Sequence, residues 1–163
     1  MDGFLTLWGN PTHEPFGVLA VRLLVAAVLG ALIGLEREFK NRPAGLRTHM
    51  LVSTAAAAFT VMTFEIYHEM VDLGADIARL DPIRVIEAVT AGVAFLAAGA
   101  IIRSGNGDIK GLTTGAAMWM AGAIGVACGA GFFSVAVLVT VLVLIITLAL
   151  GQIEKHYLED EDR

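Results

Sequence analysis

Cysteine is almost missing from this chain of 163 residues: Cys128 is the only one. A single thiol excludes an intrachain disulfide and any metal centre built on several thiolates. Charge is scarce too, with Asp, Glu, Lys and Arg at 17% of residues, where soluble domains carry about a quarter. Only eleven residues are Lys or Arg, too few to make a basic surface for nucleic acid once those that set the topology are set aside. The opening MDGFLTLWGN has no basic n-region and does not read as a cleaved secretory signal. Catalytic constellations are missing as well. His13, His49, His68 and His156 are scattered, Ser53 has no evident base partner, and no glycine-rich phosphate fingerprint precedes a helix. Neither an enzyme nor a cofactor is expected, and no metal-binding cluster stands out.

What the chain has in quantity is apolar sequence. Hydrophobic residues make up 56% and the mean hydropathy is +0.74. Several runs approach the length of about 20 residues that a helix needs to cross a bilayer. The expectation is an all-α integral membrane protein, a compact bundle of five transmembrane helices over residues 16–35, 48–64, 82–102, 112–127 and 132–150. An N-terminal tail (1–15) precedes this transmembrane domain (16–151) and a charged tail (152–163) follows it.

The chain is organised around one polar stretch, LEREFKNRPAGLRTHM (35–50), which holds Arg37, Lys40, Arg42 and Arg47. Cations are densest here, which places this loop on the cytoplasmic side. Counting spans from it puts the N-terminus outside and the C-terminus in the cytoplasm. The 65–81 segment, with Glu65, Glu69, Asp72 and Asp76, has the acidic composition of an exported loop. If helix continues into it, those acids fall near one face by their spacing. Thr48 reads as an N-cap of the second span, and Asp81-Pro82 as a cap followed by proline at the first helical position. Gly30 and Gly34 in the first span have the GxxxG spacing of close helix contacts.

A shift of 66 residues superposes Arg37 on Arg103, Gly45 on Gly111, Leu46 on Leu112 and Thr48 on Thr114. Duplication and chance in a biased composition both account for these matches. A true repeat would be parallel, pairing helices 1–2 with helices 3–4. In either case the second and fourth spans start at the same face, each with free N–H groups at the positive end of its dipole. Arg37, Arg42, Arg47, Arg103 and Lys110 surround those starts, with Gly45, Thr48, Gly111, Thr113 and Thr114 in the first turns. That grouping makes a candidate site for an anion or an acidic partner, supported by Glu36 and Glu38. The alternative is that the threonines only cap helices and the cations meet lipid phosphates. Within the spans, Arg22 and Glu87 stand at similar depth, and an intramembrane ion pair between them accounts for both. A proton or cation pathway through Glu87 is the competing reading.

The stretches RLLVAAVLGALIGLEREFKNRPAGLRTHMLV, DPIRVIEAVTAGVAFLAAGAIIR and GLTTGAAMWMAGAIGVACGAG resemble the MgtC/SapB family of bacterial inner-membrane proteins. The resemblance covers residues 21–131 and implies five spans. It also implies a role in adaptation to low magnesium, acid or life inside host cells, through contact with membrane partners such as the F-type ATP synthase. Its motif positions include Glu36, Arg37, Glu38, Arg42, Pro43, Gly45, Arg47, Thr48, Gly111, Thr113 and Thr114. Two departures stand out: relatives with the virulence-associated role carry a soluble ACT-like domain after the last span, and this chain has Glu87 and FLAAG where many relatives have glutamine and FLGAG. Two function classes follow, a homodimeric regulatory or interaction protein and a transporter or channel for magnesium, another cation or a small anion.

Overall fold

The structure is a computed structural model that describes residues 12–74, 81, 83–102 and 110–150. Every regular element among them is helical. Helix α1 is Phe16–Phe39, α2 Leu46–Asp72, α3 Ile83–Ile102, α4 Leu112–Gly129 and α5 Phe133–Ile145. A π-helical turn, Ile146–Leu150, extends α5. Helices α1 to α4 are long and apolar enough to cross a membrane, and Phe133–Ala149 is a shorter apolar helix. At about 1.5 Å per residue, the 24 residues of α1 span roughly 36 Å, more than a hydrocarbon core of about 30 Å.

Helix α4 is the hub. It packs against each of α1, α2, α3 and α5, whereas among the described residues α1 and α3 have no extended contact. Its composition explains this position. A Cβ at Gly129 would stand 2.6 Å from the Ala57 carbonyl oxygen, and one at Gly125 would collide with the Ser53 carbonyl, so α2 lies against bare backbone. Gly115 and Gly122 face side chains of α3 less tightly, with a Cβ 3.2 Å from Ala97 Cβ and 3.0 Å from Val93 Cγ2. The expected GxxxG contact is present on α1: a Cβ at Gly30 would come within 2.7 Å of the His49 carbonyl, and one at Gly34 within 2.7 Å of Leu46 Cα. Dispersion between closely set backbones holds such helices together where lipid removes the hydrophobic drive. Ala26, Ile33, Ala57, Ile124, Cys128 and Ala136 fill the centre and are sealed from the surface.

Helix boundaries depart from those expected at the polar ends. Helix α1 runs on through Glu36, Arg37 and Glu38 to Phe39 and α2 starts at Leu46, so half of the expected loop 36–47 is helix. Asn41, at φ +50°, then turns the chain, a left-handed conformation that asparagine tolerates. Helix α2 begins at Leu46 with Gly45 as N-cap residue, which corrects the assignment of Thr48 as the cap. It continues through Glu65 and Glu69 to Asp72, as the three-and-four spacing of the acids allowed. Asp81 caps α3 as expected: the Ile83 N–H donates to Asp81 Oδ1 at 3.0 Å. Pro82 and Asp76 lie outside the described residues, and so does the tail from 151 onward.

Candidate functional site

The polar groups gather at the end of the bundle where α1 stops and α2 and α4 start. Four residues at the end of α1 tie it to three other elements. Glu38 turns forward, and its Oε2 accepts the Leu46 N–H at 2.9 Å, capping α2 from outside the helix. A Cβ at Gly45 would take the place of the Glu38 carboxylate, so glycine leaves the room that this cap uses. Arg37 is buried and points to α4, donating from Nη2 to Thr114 Oγ1 at 3.0 Å. Glu36, also buried, lies 3.8 Å from Arg37 Nη1 and 2.7 Å from Lys40 Nζ. Lys40 in turn donates to the Thr147 carbonyl at 2.8 Å, in the π turn that ends α5, where the negative end of a helix favours a cation.

Beneath this network lie two further polar residues that sequence reasoning did not place in it, His49 and Ser53, both at 0% exposure. His49 Nδ1 lies 2.9 Å from the Gly45 carbonyl. A carbonyl only accepts, so Nδ1 carries the proton and Nε2 of the neutral ring is an acceptor. That Nε2 has no partner among the described residues, and neither does Ser53 Oγ or Arg37 Nε. Glu36 Oε1 and Oε2 are held by ion pairing without hydrogen-bond geometry. Leaving a buried donor or acceptor unsatisfied costs about 1–3 kcal/mol. The signal for His49 and Ser53 was their i,i+4 spacing, which puts both on the face of α2 that meets Gly30.

The residues grouped in the sequence reading separate into layers. Arg37 and Thr114 come together in the interior, with Glu36 beside Arg37. Arg42, Arg47, Lys110 and Thr113 are exposed, Thr48 and Gly111 half-buried, and Arg103 lies outside the described residues. The two aligned glycines do different work: Gly111 holds a left-handed φ of +93°, whereas Gly45 is extended at φ −105° and makes room for Glu38.

The opposite end corrects the Arg22–Glu87 pairing. Arg22 Nη2 binds Glu14 Oε1 at 3.0 Å, and Nη1 donates to the Gly129 carbonyl at 3.1 Å. Glu87 is exposed on α3. The reason is topological, because α1 and α3 stand apart with α4 packed against both. Arg22 instead reaches back toward its own end of α1, as a long cation near an interface does. The Glu65 carboxylate holds the strap before α1 by accepting the backbone N–H groups of His13 and Glu14. The His13 and His68 rings stack there with centroids 4.0 Å apart.

Four or more apolar helices around a glycine-lined hub, with charges confined to the two ends, define a multi-pass membrane protein. The profile of the MgtC family matches residues 23–156, and the chain belongs to that family. It is 38% identical over 141 residues to an uncharacterized protein of Haemophilus influenzae, covering 86% of this chain and 58% of that protein. It is 38% identical over 131 residues to Protein MgtC of Brucella abortus, covering 80% and 50%. To Protein SapB of Bacillus subtilis it is 35% identical over 133 residues, covering 78% and 54%. The chain thus spans about half the length of these curated relatives. No solved structure matches it.

Proposed function

We propose that this chain is a regulatory or interaction protein of the bacterial inner membrane, working as a homodimer and serving adaptation to low magnesium or acid stress through contact with membrane partners. The F-type ATP synthase is one such partner suggested by the family resemblance. The observation that carries this reading is the closed core: Gly125 and Gly129 bring α4 onto the backbone of α2, and Ala26, Ile33, Ala57, Ala121 and Ile124 seal the junction. The buried hydroxyls of Thr60 and Thr140 are turned onto the carbonyls of Ala56 and Ala136 in their own helices, each at 2.8 Å. A transport route needs polar groups that face one another across a passage, and these face their own backbones. In the proposed orientation the Arg37–Thr114 network faces the cytoplasm, where exposed Arg42, Arg47 and Lys110 offer cations to an acidic partner or to lipid phosphate. The protein performs no catalysis on this reading.

Transport of an ion is the second reading, and the unpaired Arg37 Nε, His49 Nε2 and Ser53 Oγ favour it, because buried polar atoms without partners are where an ion or water would bind. Flux in proteoliposomes separates the two. The expected result is magnesium, proton and phosphate movement equal to that of empty vesicles. Flux that is lost on changing His49→Ala would establish the transporter reading instead.

A further inference from the structure

Helix α3 is the span least covered by the rest of the bundle: 11% of its membrane window is buried, against 56% for α4. The face it turns to α4 carries Val89, Val93 and Ala97. On the opposite side, at spacings of three and four, stand Glu87, Ala91, Phe95 and Ala98, with Arg84 and Ala88 at the edge where they also line the cleft between α3 and α2, all of them exposed. This is not the composition of a face built for lipid. Helix α5 shows what that looks like, with Val135, Leu138, Val141, Leu142 and Ile145 turned outward. The α3 face instead sets three alanines around Phe95, which is 81% exposed, and carries two opposite charges three residues apart. Neither charged side chain makes an ion pair among the described residues. Beside the face, a Cβ on Gly92 or Gly99 would meet nothing within 4 Å.

An unpaired carboxylate on a membrane-crossing helix is unfavourable, and such groups pair or face a cavity. The surface that complements this face is the face itself. A two-fold axis along the membrane normal sets α3 beside α3 of a second copy, running the same way, and makes every contact occur twice. Arg84 then lies about 4.5 Å along the axis from Glu87 of the partner subunit, a step of three residues that the long arginine side chain spans. Ala88, Ala91 and Ala98 allow the close approach that such a contact needs. We propose that this face of α3 is the contact between two copies of the chain, closed by reciprocal Arg84–Glu87 ion pairs. The proposal rests on the homodimer reading above and names its surface.

The test uses the full chain in native membranes and in lipid nanodiscs, with Cys128→Ala to remove the native thiol. Ala91→Cys should cross-link to a second copy on mild oxidation, and Leu138→Cys on α5 should not. In the Ala91→Cys background, Arg84→Glu or Glu87→Arg alone should lower the cross-linked fraction about tenfold. The two changes together reverse both signs and should restore it, which also shows that the charge-changed chain folds. Cross-linking through Leu138 and not Ala91 would overturn the α3 face while leaving a homodimer standing. A monomeric mass in nanodiscs with no cross-link at either position would overturn both. Cross-linking at Ala91 that ignores every charge change would overturn the ion pairs, and a different membrane protein captured at Ala91 would overturn the second copy.

Discussion

Glu38 stands eight residues before the amide it caps, so the cap of α2 depends on the fold of the 40–45 turn and not on the residue next to the helix. That dependence makes Glu38 and Gly45 one unit. Losing a helix cap costs about 0.5–2 kcal/mol, and for an exposed carboxylate the low end applies. Glu38→Ala should therefore destabilise the protein by about 0.5–1 kcal/mol. Gly45→Ala should do the same by displacing the carboxylate. In denaturant titrations in detergent, the double change should cost little more than either alone, and fully additive costs would show that the two residues act separately. Arg37 stands for more. Removing it leaves Glu36 buried with Lys40 as its remaining cation, and breaking a buried pair costs about 3–5 kcal/mol. Arg37→Ala should lower the unfolding midpoint well beyond Thr114→Val, which removes one hydroxyl acceptor; equal losses would mean that Glu36 gains nothing from the guanidinium. Sequence reading picked out Arg37 and Thr114 as members of one cluster, yet not as direct partners, because they are 77 residues apart and no local pattern announces a contact across two helices. Lys40 was noted only as one cation among several, since its acceptor at Thr147 is a backbone carbonyl, which carries no residue signature.

At the scale of the helix, hydropathy located the membrane-crossing elements and misjudged their ends. A hydropathy run stops at Glu36 because charge is costly in lipid, but the helix continues because α4 and Lys40 supply partners for Arg37 and Glu36. The same gap separates the expected end of α2 at 64 from Asp72, where the acids continue the helix beyond its apolar run. Glycine spacing was legible in part. Gly30 and Gly34 gave a recognisable pair; Gly125 and Gly129 have the same spacing and meet α2 but went unread, and Gly115 and Gly122 face α3 at a spacing of seven. Their effect should be measurable. A Cβ at Gly129 meets backbone, which cannot give way as a side-chain tip can, and overpacking of this kind costs about 1–3 kcal/mol or more. Gly129→Ala should destabilise the protein by that amount. Gly17→Ala, where a Cβ meets nothing within 4 Å, should be neutral or stabilising by up to about 1 kcal/mol, because alanine is the better helix former. Thermal melts of the two variants in one detergent provide the comparison, and equal midpoints would mean that α4 can move away from α2.

For the whole molecule, the helical bundle followed from composition and run length, while the neighbours of each helix did not. Arg22 and Glu87 show why: depth in the membrane can be counted along the sequence, but α1 and α3 are kept apart by a packing order that only the glycines of α4 decide. Orientation is a separate matter, because a helical bundle packs equally well either way up and the choice lies in the loops. The 40–47 turn holds Lys40, Arg42 and Arg47, whereas the far end of α2 holds Glu65, Glu69 and Asp72. Cationic loops stay on the cytoplasmic side, and on that rule we propose that the Arg37–Thr114 network faces the cytoplasm and the His13–His68 strap the outside. Cys128 is fully buried, and replacing it with alanine leaves a chain without thiols for site-directed labelling. In that background Arg42→Cys, at an exposed turn position, should resist a membrane-impermeant thiol reagent in intact cells and react once the membrane is opened. Leu73→Cys, at a position 77% exposed beyond the end of α2, should react in intact cells from the start. Both sites are exposed, so the contrast between them reads the side of the membrane and not burial. The reverse pattern would invert the bundle, carrying the cationic turn and the buried polar network to the outside.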